Sequence, residues 1–389
     1  MSPRLCLALL AALSLPPAAA APVLLTPGGA SNSFGASVSD DGQRVAFYSA
    51  SDLTGGNADR NFEVFLYDRP SGSLQQVTNR PEGIRFGSQS PSLSGDGSRI
   101  VFQEFSPSGG FSLFQTRSYH VPSNSFTTLT GPPGFFEASD INRDGSVIAV
   151  RVDNTGLRLY DTAAGSFGDV ITNRAFHFSL SGDGTRLAWS DFAGGLFVHD
   201  VLAGTTTTVF ASGGGLDLRP DLSADGRFLA YTGNHDPLGQ NADRDTELFL
   251  YQVDSGQLRQ LTQSVGGTAQ AASISGDGSR IAFSSNANLR GGNADGNTEV
   301  WLYDLLSDEI TQITDTAAGS FSVGASLSAD GLSLAYSSSA NLAGLNPGRV
   351  PQIWLQSLAP STAEVPLPAS PALAALALGL LALVRRPRG

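Results

Sequence analysis

Seven segments of the chain place short apolar runs on either side of an Asp-Gly pair. They read SDDGQRVAF, SGDGSRIVF, NRDGSVIAV, SGDGTRLAW, SADGRFLAY, SGDGSRIAF and SADGLSLAY. Their glycines are Gly42, Gly97, Gly145, Gly184, Gly226, Gly278 and Gly331. Asp-Gly between two apolar runs is typical of a tight β-hairpin turn, because glycine adopts a positive φ without a Cβ clash. The pattern predicts seven hairpins, each formed by two strands that we name A and B.

Two further apolar runs follow each hairpin and predict strands C and D. Strand C is aromatic (VFLYD, LRLYD, LFVHD, LFLYQ, VWLYD, IWLQS), and strand D reads QQVT, TTLT, DVIT, TTVF, RQLT and TQIT. Four-stranded units that repeat every ~40 to 55 residues are the sequence signature of a β-propeller. A long β-sandwich is the alternative, but it would not require one strand order seven times. We therefore predict an all-β, seven-bladed β-propeller.

The seventh unit lacks a strand D, because the sequence after Leu358 turns to proline and small residues. Residues 22–26 near the N-terminus read PVLLT, which matches RQLT and TQIT. We expect residues 23–26 to form the outer strand of the last blade, so that an N-terminal strand closes the ring. The propeller then occupies residues 21–359.

Residues 1–20 have the layout of a secretory signal peptide. Arg4 precedes an apolar run at residues 5–15, and Ala18, Ala19 and Ala20 offer a small-residue cleavage site. The chain's one cysteine, Cys6, lies inside this segment. The exported protein is therefore expected to have neither a disulfide nor a thiol nucleophile.

The C-terminal end has three parts. Residues 360–371 form a Pro-rich linker, residues 372–384 are almost entirely apolar, and Arg385, Arg386 and Arg388 follow. The apolar run is shorter than the ~20 residues that span a bilayer comfortably, but it allows a thin span. The arginines would stop it in the cytoplasmic leaflet and leave the propeller outside. We predict a short transmembrane helix with a basic tail at residues 372–389; a hydrophobic helix docked on the propeller is the alternative.

This C-terminal end resembles the PEP-CTERM sorting signal, which exosortases of Gram-negative bacteria process. The residues that carry the motif are Val365, Pro366, Leu367, Pro368 and Ala369, where Leu367 stands in place of the family's usual Glu. The resemblance implies an exosortase-type processing enzyme as a partner, an inner-membrane anchor, and a bacterium that produces exopolysaccharide.

The propeller repeat itself, S-x-DG-x-R-[IL]-A-[FY] followed by YD and LT, resembles the TolB-type repeat. That family includes periplasmic scaffolds, lyases and the propeller halves of peptidases, so the fold does not determine the function. The chain carries a formal charge of −12, and all its basic side chains are arginine. Such a charge repels phosphate backbones, which excludes nucleic acid as the expected partner.

A repeated phrase, NADRNFE, NADRDTE or NADGNTE, stands between strands B and C of blades 1, 5 and 6. Its oxygen-bearing side chains alternate: Asn57, Asp59, Asn61, Glu63; Asn241, Asp243, Asp245, Glu247; Asn293, Asp295, Asn297, Glu299. Oxygen ligands at alternate positions suit a hard cation such as Ca²⁺. The structural interpretation is that Asn and Asp shape the loop and Glu binds an amide at the strand entrance. Blade 7 keeps the loop without the acids, at residues 345–348, which favours the structural interpretation.

Enzyme signatures are weak. There is no G-x-S-x-G elbow and no cofactor fingerprint. The four histidines, His120, His177, His199 and His235, fall in three blades and form no spaced pair. We therefore name no catalytic residue and no cofactor other than the Ca²⁺ alternative.

The sequence therefore predicts a monomeric, exported binding or scaffold propeller without chemistry of its own. Exosortase-type sorting would take it from a periplasm-facing membrane anchor to the cell surface or the exopolysaccharide matrix. A glycan or a matrix protein is the expected partner. The alternative is a propeller polysaccharide lyase or hydrolase. A cluster of histidine, arginine and carboxylates that lines the central channel on the loop face would favour the enzyme, and a channel lined by serine, alanine and leucine would favour the binding protein. The sequence predicts the second lining, since strand A holds mostly such residues.

Overall fold

The computed structural model describes residues 20–28, 30–80, 87–108, 111–129, 138–152, 156–213 and 218–361. Their strands form seven antiparallel sheets of four strands each. The innermost strands A of all seven sheets line one central channel. The predicted all-β, seven-bladed propeller is confirmed. The predicted signal peptide, the sorting motif and the C-terminal helix lie almost wholly outside the described residues.

The 28 strands follow the chain in the order A, B, C, D from the channel outwards. Strands A are β2 (Ser33–Val38), β6 (Ser88–Leu93), β10 (Ala138–Ile141), β14 (Ala175–Leu180), β18 (Asp221–Leu222), β22 (Ala269–Ile274) and β26 (Ser322–Leu327). Strands B are β3 (Arg44–Ser49), β7 (Arg99–Ser108), β11 (Val147–Val152), β15 (Arg186–Asp191), β19 (Phe228–Gly233), β23 (Arg280–Ser285) and β27 (Ser333–Ser338). Strands C are β4 (Glu63–Asp68), β8 (Phe111–His120), β12 (Gly156–Asp161), β16 (Leu196–Asp200), β20 (Glu247–Gln252), β24 (Glu299–Asp304) and β28 (Gln352–Ser357). Strands D are β5 (Ser73–Gln76), β9 (Ser125–Thr128), β13 (Ser166–Phe167), β17 (Thr205–Phe210), β21 (Gln257–Gln260), β25 (Glu309–Gln312) and β1 (Val23–Leu24).

The Asp-Gly turns join strands A and B in every blade, as predicted. All seven of their glycines have a positive φ, between 66° at Gly42 and 72° at Gly278. The aspartate before each glycine closes the turn with its side chain. Asp183, for example, accepts the N–H of Thr185 at 2.9 Å and the hydroxyl of Ser181 at 2.7 Å. We call the surface formed by these turns and by the C–D turns the turn face, and the opposite surface the loop face.

The apolar core is divided into seven clusters, one between each pair of neighbouring blades. The cluster between blades 5 and 6 packs Leu248 and Ala230 against Phe283 and Trp301, all fully buried. The cluster between blades 7 and 1 contains Leu25 from the N-terminal segment. Each blade is therefore stabilised by two neighbours, and the ring is complete only when blade 7 meets blade 1.

Strand β1 completes blade 7, as predicted. Val23 lies opposite Leu355 and Leu24 opposite Trp354, and Leu25 N–H donates to Ile353 O at 2.9 Å. Leu25 is 3% exposed. The N-terminal strand therefore supplies both the missing hydrogen bonds of the last sheet and apolar contact at the closing interface.

Four B–C connections of equal length rise on the loop face in blades 1, 5, 6 and 7, at residues 50–62, 234–246, 286–298 and 339–351. We call them the tall loops. Blade 2 differs from these, because β7 and β8 have ten residues each, where most strands B and C have six. Its hairpin extends past the neighbouring blades by added strand pairs rather than by a loop.

The described part of the chain contains no helix that is long and apolar enough to span a membrane. Its one helix is a 3₁₀ turn at Leu342–Gly344 in the tall loop of blade 7. The predicted transmembrane helix at residues 372–384 lies beyond the described range.

Deletion of residues 21–26 should expose the edge of β28 and remove the buried Leu25 side chain. We expect the free energy of unfolding to fall by about 3 kcal/mol or more, because a buried leucine alone contributes roughly 2–5 kcal/mol. The matched control is Val23→Ala, since Val23 is 51% exposed. Urea denaturation measures both, and equal unfolding midpoints for the deletion and the wild type would contradict closure by β1.

Candidate functional site

A ring of backbone hydrogen bonds joins the seven A–B turns around the channel. Each turn donates an N–H to a carbonyl of the next turn, and the last donates back to the first. The bonds are Asp40–Gly95, Asp96–Arg143, Arg143–Gly182, Asp183–Ala224, Ala224–Gly276, Gly276–Ala329 and Ala329–Asp40, at 2.7 to 3.1 Å. A Cβ on Gly276 would lie 2.7 Å from the Cβ of Ala329. Small residues are needed here because the turns approach so closely.

A second ring, made by side chains, lies one level higher in the channel. Each blade contributes the residue that lies four positions before its turn aspartate. These residues are Ser37, Ser92, Asp140, Ser179, Asp221, Ser273 and Ser326. Most of these side chains accept an N–H of the next blade, as Ser273 does from Leu327 at 3.1 Å. Ser92 instead donates its hydroxyl to Asp140 at 2.9 Å. The channel waist is therefore held by oxygen atoms from all seven blades.

Asp140 and Asp221 are the two carboxylates of this waist. Asp140 accepts the N–H of Leu180 at 2.8 Å, and Asp221 accepts the N–H of Ile274 at 2.7 Å. Burial, together with like-charge repulsion from Asp140, raises the pKa of Asp221 to about 7. Burial also raises the pKa of Asp140. The predicted lining of serine and aliphatic residues is therefore correct for five blades, and the two acids are an addition.

Below the waist, on the turn face, the channel opens into a vestibule of about 640 Å³. Carboxylates of the turns line it, and Arg143 pairs with Asp40 at 2.5 Å. Burial raises the pKa of Asp40, and the positive charge of the Arg143 guanidinium partly offsets this rise. Turn aspartates such as Asp183 already accept hydrogen bonds within their own turns. We therefore assign the acids of the vestibule a structural role in the A–B turns.

Above the waist, on the loop face, the strands A are irregular in most blades. A β-bulge interrupts the pairing of strands A and B in blades 1, 2, 4, 6 and 7. Gly35 and Gly324 adopt φ of 64° in their bulges, and Ala271 adopts 49°. A positive φ at alanine is strained by about 1–3 kcal/mol. Bulges of this kind re-aim side chains beside binding sites.

The bulges border a recess of about 440 Å³, which we call the mouth recess. Its lining comes from four consecutive blades, 5, 6, 7 and 1, and comprises Phe34, Gly35, Tyr48, Arg219, Gln270, Ala271, Ser284, Val323, Gly324 and Ser337. These are the blades that carry the tall loops. The volume falls within the range of small-molecule sites, roughly 300–1,000 Å³.

Aromatic side chains form one wall of the mouth recess. The rings of Phe34 and Tyr48 lie 6.2 Å apart, and Phe62 supports Tyr48 edge-on at 5.2 Å. A Cβ at Gly35 would lie 2.6 Å from the ring of Tyr48, so glycine is required for this contact. Both Phe34 and Tyr48 are half-buried and present apolar surface to the recess.

Polar groups form the rest of the mouth recess. Arg219 and Gln270 are exposed there, and Ser284 is 1% exposed. The hydroxyl of Ser284 is buried without a hydrogen-bond partner in the described part of the protein. A buried polar atom without a partner is uncommon and indicates a place for a ligand group or a water. The recess thus combines an aromatic wall with a few converging polar groups.

The tall loops use their asparagines to hold their own shape. The amide N–H groups of Asn57 donate to Asn61 O at 3.0 Å and Ser51 O at 3.3 Å. The corresponding bonds close the other three tall loops: Asn241 to Asp245 O, Asn293 to Asn297 O and Asn346 to Val350 O. Blade 7 makes this bond without the acidic residues, so the first asparagine of the phrase has a structural role.

The glutamates of the phrase connect the start of strand C to the end of strand D. Glu299 is fully buried and accepts the hydroxyl of Thr314 and the N–H of Thr316, the latter at 2.8 Å. Thr314 in turn accepts Val300 N–H at 2.9 Å. The same contact occurs in blades 5 and 1 as Glu247–Thr262 and Glu63–Thr78. Burial raises the pKa of Glu63.

Blade 7 makes this contact with a neutral side chain. Gln352 takes the glutamate's place and accepts the hydroxyl of Thr26 from the N-terminal segment. Thr26 also accepts Ile353 N–H at 3.2 Å. An amide oxygen therefore suffices for the contact, and a negative charge is not needed.

The twelve residues proposed as oxygen ligands of Ca²⁺ fall into exposed and buried groups. Asp59, Asp243 and Asp295 are exposed on the loop tips, whereas Asn57, Asn241 and Asn293 are buried, with amide oxygens that have no partner in the described residues. Asp245 accepts Gly267 N–H at 3.3 Å, and Asn61 donates to Asp59 at 3.0 Å. In the described ranges, no three His, Cys, Asp or Glu side chains are placed to hold a metal. The Ca²⁺ alternative stays a prediction that depends on the amide oxygens.

The histidines occupy separate places. His235 is 7% exposed among Phe210, Phe249 and Tyr231, and burial lowers its pKa to about 4. His120 contacts Ser123 and His199 contacts Thr206 within their own blades. His177 lies in strand A of blade 4 beside Phe176. No histidine belongs to the described lining of the channel or of the mouth recess.

The likeness to known proteins is one of fold. No model of a known protein family matches the chain, and no curated protein matches it by sequence. The β-propeller domain of the Trilobed protease from Pyrococcus furiosus is similar, with a TM-score of 0.58 and 12% identity over 83% of this chain and 94% of that one. TolB from Acinetobacter baumannii has a TM-score of 0.46 and 17% identity, over 77% of each chain. The Pyrococcus propeller is described as having an open velcro topology, whereas β1 closes the ring here.

Two substitutions at Glu299 test whether the repeated phrase has a structural role. Glu299→Gln keeps an acceptor for the Thr314 hydroxyl, as Gln352 does for Thr26, but turns an amide N–H₂ toward the N–H of Thr316, so it should cost about 1 kcal/mol and less than Glu299→Ala. Glu299→Ala leaves the buried donors unpaired and should cost about 1–3 kcal/mol. Urea denaturation measures both.

The same experiment bears on the cation. If added Ca²⁺ stabilises the chelator-treated wild type but not Glu299→Gln, the carboxylate serves a bound ion, because only preferential binding to the native state raises the unfolding midpoint. That result would contradict the purely structural role.

Proposed function

We propose that this chain is an exported propeller that captures a glycan in the mouth recess. The observation that carries the proposal is the recess itself, where an aromatic wall faces Gln270 and the unpartnered hydroxyl of Ser284. Sugars present apolar C–H faces and many hydroxyls, so they suit a site that combines aromatic rings with amide and hydroxyl groups. A matrix protein is the second partner that the sequence suggests, and it would meet the same face.

The repeat supports placing the site here rather than in the vestibule. Residues that hold a propeller together recur in every blade, as the turn aspartates do. Phe34, Tyr48, Arg219 and Gln270 occupy strand positions that differ from blade to blade. Position-specific departures from a repeat are unnecessary for the fold and are therefore available for binding.

The channel supports binding more than catalysis. Its described waist presents serine hydroxyls and two carboxylates that already accept backbone N–H groups. General acid–base chemistry would need such a carboxylate to face a substrate, and the aromatic wall lies on the loop face instead. A polysaccharide lyase or hydrolase remains the competing proposal, and incubating each captured glycan with the protein would reveal it by new chain ends.

The positions of the two chain ends support an orientation at the membrane. Ala20 accepts the side-chain amide of Gln356 at 3.3 Å, and Ser361 donates to Asp304, the last residue of β24, at 3.0 Å. Both ends therefore leave from the turn face. A tail anchored in the inner membrane would hold the turn face toward the lipid and the mouth recess outward. We propose that the chain faces the periplasm in this way as a monomer, and then reaches the cell surface or the matrix after exosortase-type processing.

Removal of the aromatic wall should weaken glycan capture without unfolding the propeller. Phe34→Ala should reduce the affinity for the best ligand of an oligosaccharide array by about tenfold, or ~1.4 kcal/mol, as expected for an aromatic anchor. Isothermal titration calorimetry gives the affinity, and the melting temperature should stay close to that of the wild type.

Phe192→Ala is the matched control. Phe192 is 61% exposed in the short B–C connection of blade 4, on the same face but outside the recess. Equal losses of affinity in both variants, or none in Phe34→Ala, would place the glycan elsewhere. An experiment that attaches bulky labels to the tall loops should use the exposed positions Asp59, Asp243 or Asp295, because the neighbouring asparagines are buried.

Sorting can be followed with an epitope placed after Gly389. In a host with an exosortase, the wild-type chain should lose the epitope, and Leu367→Glu should lose it faster because Glu is the family's usual residue. A chain that ends at residue 371 should be released without membrane attachment. Retention of the epitope by the wild type and by Leu367→Glu would exclude exosortase processing of this tail.

A further inference from the structure

The bulges of strands A give the mouth recess access to side chains of strands B. In blades 6, 7 and 1 the bulge places Ala271, Gly324 and Gly35 at the same repeat position, two residues before the waist residue. Because these residues have at most one side-chain carbon, the strand B side chain that pairs beside each bulge also lines the recess. These strand B residues are Ser284, Ser337 and Tyr48.

Ser284 differs from the serines that occupy its repeat position in other blades. Ser337 of blade 7 donates its hydroxyl to Ser33 O at 2.8 Å, and Ser190 of blade 4 donates to Leu218 O at 2.9 Å. Both bonds join a blade to the next one. Ser284 is 1% exposed, and its hydroxyl has no partner in the described residues. Since a buried hydroxyl without a partner is costly, this one is available for a group of the ligand.

The charges of the recess favour a neutral ligand. The described lining contains no carboxylate, and its one charged residue, Arg219, already interacts with another group of the protein. The other polar side chains of the lining, Gln270, Ser284 and Ser337, are neutral. A charged group buried in the recess would therefore lack an opposite charge, which makes its desolvation unfavourable.

The aromatic wall and the Ser284 hydroxyl impose different requirements on a sugar. Phe34 and Tyr48 belong to blade 1 and Ser284 to blade 6, with blade 7 between them. Packing on the wall accepts any sugar with an apolar C–H face. The hydrogen bond to Ser284 also requires a hydroxyl that points from the packed ring toward blade 6. The configuration of one ring carbon decides whether the sugar has that hydroxyl in place.

We infer that the mouth recess selects a neutral sugar by the configuration of one hydroxyl, and that Ser284 is the residue that reads it. The inference rests on the proposed glycan capture and adds the class of sugar and its specificity-determining residue. The bound hydroxyl supplies the partner that Ser284 lacks. The aromatic wall provides the affinity common to all epimers, and Ser284 separates one epimer from the others.

The test uses neutral sugars that differ by one hydroxyl. The probes are β-linked tetrasaccharides of glucose, mannose and galactose, in which mannose and galactose are each an epimer of glucose at one ring carbon. Monodeoxy forms of the best binder, each lacking a different hydroxyl, make a second set. Calorimetry on residues 21–359 with each probe gives the affinities, because that segment holds the complete ring.

We expect one tetrasaccharide to bind about tenfold more tightly than its epimers, and one of its monodeoxy forms to lose the same factor. Ser284→Ala should bring both ratios close to one, because the hydroxyl that distinguishes the sugars then has no partner. Phe34→Ala should weaken all three tetrasaccharides and preserve the ratios. Ser190→Ala is the matched control, since it removes a serine hydroxyl at the same repeat position outside the recess; it should preserve the ratios as well.

Melting temperatures test the assignment of Ser284 without a ligand. Ser284→Ala removes a buried hydroxyl that has no partner, so its melting temperature should equal or exceed that of the wild type. Ser190→Ala breaks a bond between two blades and should melt at a lower temperature. Equal decreases in the two variants would show that the Ser284 hydroxyl already serves the fold, and would overturn the inference.

The outcomes separate this inference from the proposed function. If the three tetrasaccharides bind equally, or if the ratios survive Ser284→Ala, the inference is wrong and glycan capture stands. The same holds if the array yields a ligand but none of the three tetrasaccharides binds. If no tetrasaccharide and no glycan of the array binds, both proposals are wrong.

Discussion

The closed ring of hydrogen bonds between the A–B turns is the constraint on which the rest of the molecule depends. Seven turns must each meet the next at hydrogen-bond distance, and the seventh must meet the first, as Ala329 does Asp40 at 3.1 Å. Where two turns approach most closely, as Gly276 and Ala329 do, the residues must be small. Strand β1 fulfils the same condition at the outer edge of blade 7. An open ring would expose a strand edge and one face of an interblade cluster.

This constraint acts on one face only. The turn face is uniform because each A–B turn donates a backbone hydrogen bond to the turn of the next blade. Arg280 shows the principle, since it donates to Gly331 O of blade 7 at 2.9 Å and pairs with Asp304 of its own blade at 3.1 Å. Arg44 makes the equivalent pair of contacts between blades 1 and 2. On the loop face no complete ring of this kind joins the described residues, so connections and bulges can vary without breaking the closure. The variable face is where a binding site can be built.

The sequence predicts the features that recur and misses those that depend on packing between distant segments. The Asp-Gly turns, the strand order and the closure by residues 23–26 all follow from repeated local patterns, and the structure has them. The mouth recess does not follow, because Phe34, Arg219 and Gln270 are far apart in the chain and meet only through ring closure. Asp140 and Asp221 were visible as departures from serine at one repeat position. The long strands of blade 2 left no such signal, because β7 ends in Ser-Pro-Ser, residues that favour a turn.

The repeated phrase shows that alternation alone does not distinguish a cation site from a structural loop. Oxygen side chains at every second position are compatible with a cation site, but they also arise when each residue has a separate structural partner. Asn293 closes its loop and Glu299 joins strand C to strand D. The useful signal lay in blade 7, where Gln352 and Thr26 keep the contact without a charge. The contact with the threonine hydroxyl therefore requires an acceptor and not a negative charge. In a repeat protein, one repeat sometimes replaces a residue by another type and still makes the same contact. Such a repeat shows which property of the residue the fold requires, here the hydrogen-bond acceptor.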